Sequence, residues 1–115
     1  MQAKAWNSTT LDHTPSADVA AGDVVVVEDL VCVARDAITA DTLGSLETEG
    51  IFKVVKASEA LSQGVKIYWD EDGDPVGGTA GTGAATATSA DNKLMGYAAA
   101  AAATAGTTVL VKLER

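Results

Sequence analysis

The stretch Ala20–Lys56, AAGDVVVVEDLVCVARDAITADTLGSLETEGIFKVVK, decides the fold. Apolar runs alternate in it with acidic or glycine turns: Val24–Val27, Leu30–Ala34, Leu43–Leu46 and Ile51–Lys56. The breaks fall at Ala21-Gly22-Asp23, Glu28-Asp29, Thr39–Thr42 and Glu49-Gly50. Short valine-rich runs bounded by Gly and Asp read as successive strands, because β-branched side chains suit a pleated surface and these turn residues do not. No part of the stretch keeps helical spacing for ten residues. The reading is an all-β scaffold with short turns.

Working outward, the 115-residue length predicts one domain. Folding at this size removes roughly 65% of the unfolded chain's surface from water, which allows one small core. That core is thin in large side chains: one Phe, two Trp, two Tyr and two Met. A fully buried Leu or Phe is worth about 1.5–3 kcal/mol and an alanine much less, so association that buries more area favours such a chain. The net charge of −8, with eight basic residues scattered from Lys4 to Arg115, argues against a nucleic-acid partner. No run approaches a membrane span, so no membrane partner is expected. MQAKAW carries one charge and no apolar core, so a signal peptide is not expected either. Cys32 is the single cysteine and lies inside an apolar run, which predicts a buried, inert thiol.

In chain order, residues 1–7 read as an extended N-terminal arm and residues 8–115 as a single β domain. Trp6 has little apolar company and is either tucked against its own domain or used as an anchor on a partner. Ser8–Thr14 is an edge strand ended by the turn at Pro15. Ala57–Gln63, with Ser58 as a possible N-cap and Gly64 as a stop, has room for one helical turn. Val65–Asp70 alternates cleanly, with Val65, Ile67 and Trp69 on the buried face. Pro75-Val76 reads as a short edge return. Gly77–Ala90 holds small residues only and is expected to be a flexible loop. Asn92–Ala99 begins another strand, and the alanine run Ala98–Ala103 is expected to end it in a small-residue loop, with a helical turn as the alternative. Thr107–Leu113 closes the domain, with Val109, Val111 and Leu113 inward and Leu110 and Lys112 outward. The halves echo each other: Leu30–Ala34 matches Leu94–Ala98, and Ala40–Thr42 matches Ala105–Thr107 with a one-residue slip.

The residues offer little material for catalysis. The one histidine, His13, stands beside Asp12 in a threonine-rich edge strand and reads as exposed. Asp70-Glu71-Asp72-Gly73-Asp74 resembles the start of a calcium loop, but Pro75 and Gly81 occupy the positions that need Gly and a bidentate Glu. The glycines of 77–90 lack the Gly-Lys-Ser/Thr ending of a phosphate loop. No cofactor, metal or catalytic residue is therefore assigned, and the chain reads as a non-enzyme.

The ordered segments Ala20–Val25, Leu30–Ala34, Glu49–Lys56, Gly64–Asp70, Leu94–Ala98 and Val109–Leu113 resemble the phage capsid decoration (cement) proteins, once classed only as a domain of unknown function. The resemblance covers nearly the whole chain from about Thr10. Cys32 departs from it, standing where the family more usually has Gly, while Gly96 keeps that glycine in the second half. It implies a small β-barrel or β-sandwich of short antiparallel strands, often a homotrimer, on the outer surface of the virion head. Its partners would be the major capsid protein and itself. The recombinase label of some relatives is not transferred, because no phosphate loop is present. Under this reading Gln2, Lys4 and Trp6 of the arm are the candidate capsid contact. The alternative is a non-catalytic β-sandwich module that binds carbohydrate at a cell surface.

Overall fold

A computed structural model describes residues 10–113. Nine strands form in them and no helix: β1 (Thr10–His13), β2 (Val24–Val27), β3 (Leu30–Val33), β4 (Gly44–Glu47), β5 (Ile51–Val55), β6 (Lys66–Asp70), β7 (Ala84–Thr86), β8 (Lys93–Ala98) and β9 (Thr108–Leu113). They build a four-stranded sheet in the order β1-β4-β3-β2 and a five-stranded sheet in the order β5-β9-β8-β6-β7, with antiparallel pairing within both. The fold is a two-sheet all-β arrangement and not a closed barrel, which settles the choice between barrel and sandwich. One parallel bridge, Lys56 to Ala85, ties the chain just past β5 to β7.

The sheets share a core. Val31 and Val33 of β3 join Val54, Ile67, Trp69, Met95, Val109, Val111 and Leu113 of the second sheet in one buried cluster. The β6–β8 register shifts between Ile67 and Tyr68, leaving Met95 as the extra residue of a bulge. Met95 is fully buried there, so the bulge supplies the long, flexible side chain that a core short of large residues needs. A smaller cluster of Cys32, Ala34, Ile38 and Leu46 lies apart from the shared core. Valines on alternate sides of β2 contribute to both clusters, Val24 and Val26 to one and Val25 and Val27 to the other. The four-stranded sheet is therefore apolar on both faces.

The echo between the halves is a structural repeat. In the first half Val19 and Ile38 form an isolated antiparallel bridge, and in the second Leu61 and Ala102 do the same. Gly22 donates to the carbonyl of Ala34 and Ala34 to that of Asp23; Gly64 donates to Ala98 and Ala98 to Val65. Gly22 and Gly64 sit at φ +91° and +87°, the left-handed region where a Cβ is penalised. The β1–β4 pairing also reappears as β5–β9, with Thr10↔Glu47 matching Phe52↔Val111 and His13↔Gly44 matching Val55↔Thr108. No slip is needed: the turn from Thr39 to Thr42 corresponds to the turn from Ala103 to Gly106. The halves differ in one connection. Glu28-Asp29 alone joins β2 to β3, whereas residues 71–92, including β7, join β6 to β8.

Several local expectations are corrected. Residues 57–63 form no helical turn; Leu61 is extended, 3% exposed and bridged to Ala102, because burying leucine in the shared core outweighs one isolated turn. Pro75-Val76 forms no strand: the Val76 amide donates to the Lys56 carbonyl, and the Pro75 carbonyl accepts the Gly78 amide in a turn. The segment 77–90 contains the buried strand β7, since alanine lets the backbone approach where larger residues would not fit. Leu43 lies outside β4 and is 70% exposed.

Candidate functional site

Gln2, Lys4 and Trp6 lie outside the described residues. The described residues begin at β1, which pairs with β4 and, among the described residues, has no second strand beside it.

The residues that suggested chemistry are kept apart or held in turns. Asp12 and His13 are consecutive in β1, and strand alternation sends them to opposite faces. His13 is half-buried, contrary to the exposed position expected for it. In the acidic turn the Asp70 carboxylate accepts the Asp72 amide at 3.1 Å, and Asp74 accepts the Gly81 amide at 2.8 Å. The first bond stays within the turn, and the second ties it to the glycine-rich segment. Among the described residues no group of three or more His, Cys, Asp or Glu is placed to hold a metal ion. Cys32 is fully buried, and burial pushes its thiol pKa up.

Two open grooves mark the surface. One, of about 500 Å³, runs past Asp23, Lys53, Trp69 and Thr82. Asp23 there accepts the Ala20 amide at 2.9 Å, and Trp69 shows 8% of its surface, too little for a stacking platform. The other, of about 530 Å³, lies between Arg35, Glu47, Phe52 and Lys112. In it Arg35 Nη1 donates to Glu47 Oε1 at 3.1 Å. Neither groove pairs a nucleophile with a base.

The outward face of the five-stranded sheet has a different character. Antiparallel register puts Ile51, Lys112, Tyr97 and Lys66 in one row across β5, β9, β8 and β6. The adjoining row pairs Lys53 with Leu110, and the next pairs Val55 with Thr108. Ile51, Val55 and Leu110 are 57%, 42% and 39% exposed. Apolar and lysine side chains thus alternate on one face, and none of these three lysines is in an ion pair among the described residues. Sequence reading sent Leu110 and Lys112 outward and put Lys66 opposite the buried face of its strand, but missed Ile51, Lys53 and Val55. The signal was present in Ile51-Phe52-Lys53-Val54-Val55, where the odd positions share the exposed side.

Among the described residues no helix is long and apolar enough to cross a membrane. No curated protein and no solved structure matches the chain significantly. The family model of the phage cement proteins matches residues 5–113, through both sheets and both halves of the repeat, and the chain belongs to that family.

Proposed function

We propose that this protein decorates the outer surface of a phage head, bridging neighbouring major capsid proteins so that the lattice resists the pressure of packaged DNA. The observation that carries the reading is the family match across residues 5–113. A homotrimer suits a chain whose core is thin in large side chains, and the arm residues Gln2, Lys4 and Trp6 are the proposed capsid contact. An extended segment of this kind can add to a neighbour's sheet through main-chain hydrogen bonds. Repeated over a lattice, weak contacts of this kind sum through avidity. No catalytic step and no cofactor belong to the role. The carbohydrate-module alternative has less support, since Trp69 is buried and Tyr68 and Tyr97 are half-buried in a sheet face beside lysines.

The test is co-sedimentation of the purified chain with expanded, undecorated heads. Saturable binding at a fixed ratio to the major capsid protein is expected. Heads that take up no protein and are equally stable without it would overturn the reading.

A further inference from the structure

Charge is divided unevenly between the two halves of the repeat. From Thr10 to Glu47 the chain has eight acidic residues and one basic residue, Arg35, which is paired with Glu47. From Ile51 to Leu113 it has five lysines against six acidic residues, four of which are gathered in the turn Asp70–Asp74. One of these, Lys56, is buried, and one, Lys93, pairs with Asp29. The remaining three, Lys53, Lys66 and Lys112, stand on the outward face of the five-stranded sheet, interleaved with exposed apolar residues.

The acidic half carries a feature of the complementary kind. Leu43 is the most exposed large hydrophobic residue among the described residues, at 70%. It follows the turn Thr39–Thr42, in which Asp41 is exposed and Asp18 reaches in to accept the Ala40 amide at 2.8 Å. An apolar knob is thus set beside two carboxylates, while the lysine face offers apolar spots set beside ammonium groups.

We infer that the Leu43 loop of one copy docks on the Ile51–Lys53–Leu110–Lys112 face of a second copy, head to tail. Charge complementarity selects this occupant. Two lysine faces meeting each other would oppose like charges, and so would two acidic loops, so a self-complementary dimer through either surface is disfavoured. A contact between different surfaces of identical chains is heterologous, and it closes into a ring when the rotation permits. The inference concerns the free protein and does not depend on binding to heads.

Sedimentation velocity over a concentration series tests it, using the full chain, Leu43→Asp, and the double variant Lys53→Glu/Lys112→Glu. The wild type should self-associate, and each variant should associate at least about tenfold more weakly. Raising the salt from about 0.05 to 0.5 M should weaken the wild-type assembly, since it shortens the screening length. All these residues are exposed, and far-UV spectra and melting curves are the check on folding; if the double variant unfolds, Lys53→Gln/Lys112→Gln replaces it. The decisive arm is a mixture. Leu43→Asp keeps an intact lysine face and the double variant keeps an intact knob, so together they should form a one-to-one dimer that neither forms alone. A monomeric wild type, variants that assemble normally, or a mixture that stays monomeric would each overturn the inference. Head binding, measured separately on the same variants, reports on the cement role independently.

Discussion

The Nζ of Lys56 donates to the carbonyl of Ala103 at 2.9 Å, joining the end of β5 to the turn before β9. The same ammonium lies 2.9 Å from the Ala57 carbonyl, 3.3 Å from that of Thr104 and 3.4 Å from that of Gly106. Lys56 is fully buried, and its charge is satisfied by main-chain oxygens with no carboxylate in an ion pair among the described residues. The first half meets the same need locally. There the Thr39 carbonyl accepts both the amide and the hydroxyl of Thr42, the latter at 2.6 Å. Gly106 stands where Thr42 does and has no hydroxyl, so the ammonium fills that role from a distant strand.

Lys56→Met should therefore destabilise the fold although it removes a buried charge. Methionine matches the stem but removes the ammonium donor, leaving the carbonyls of Ala57 and Ala103 with the Glu59 and Gly106 amides alone, a loss on the order of 1–3 kcal/mol for charge-assisted bonds. Urea titration should show a lower midpoint with an unchanged slope. A midpoint equal to wild type would mean that water replaces the ammonium at no cost.

Trp69 and Gly83 make the tightest glycine contact in the shared core. A Cβ at Gly83 would lie 2.5 Å from Trp69 Cζ2, and Gly83 sits at φ +113°. Gly83→Ala incurs both a clash with a buried ring and backbone strain, whereas Gly81→Ala, at φ +81° with open space around it, incurs the strain alone. The expected losses are about 3 kcal/mol or more for Gly83→Ala and about 1 kcal/mol for Gly81→Ala. Thermal melts followed by tryptophan fluorescence should rank them in that order, with only the first changing the native emission. Equal losses would remove the ring contact as the cause.

Gly44 and Ile38 are coupled in the smaller cluster. A Cβ at Gly44 would come within 2.7–2.8 Å of three Ile38 side-chain atoms, and Ile38 is 5% exposed. Gly44→Ala alone should cost about 1–3 kcal/mol through overpacking. Ile38→Ala alone should cost about 2–5 kcal/mol through the cavity it leaves. The double variant should be more stable than the sum of the two losses by at least about 0.5 kcal/mol, because the new methyl occupies space that Ile38 vacates. Strict additivity in a double-mutant cycle would show that the two sites do not share that space.

The strands were legible where burial leaves a period. Val24–Val27, Leu30–Val33, Lys66–Asp70 and Thr108–Leu113 appear within a residue or so of their expected positions, because β-branched runs between Gly and Asp turns have few other uses. The repeat was legible at Leu30–Ala34 and Leu94–Ala98. Its register beyond them was not, since residues 71–92 interrupt the second copy and hide the common spacing. Strand β7 escaped notice because Ala84, Ala85 and Thr86 carry no hydrophobic period, and their burial depends on what packs over them. Lys56 was illegible for a similar reason: the oxygens that make its burial tolerable lie far along the chain. The lysine-bearing face could be seen one strand at a time, but its rows exist only through cross-strand register.

Cys32 provides a pH test of the smaller cluster. Burial raises its pKa above the ordinary value of 9.0, because a thiolate in an apolar site loses its hydration. The sign follows from proton counts. Above the unfolded pKa the folded state retains the proton more than the unfolded state does, so stability falls with rising pH. The contribution is fully present below about pH 9 and is lost as the pH climbs through the raised folded value. Cys32→Ser would bury a hydroxyl in its place, so Cys32→Ala is the cleaner control. Denaturation of the wild type from pH 7 to 10.5 should show a decline that Cys32→Ala lacks, superimposed on whatever the lysines and tyrosines contribute to both. Thiol alkylation at pH 8 should also be slow in the native state and accelerate with urea in step with unfolding. Parallel pH profiles for the two proteins, or rapid alkylation of the native chain, would show that Cys32 is reached by solvent without unfolding.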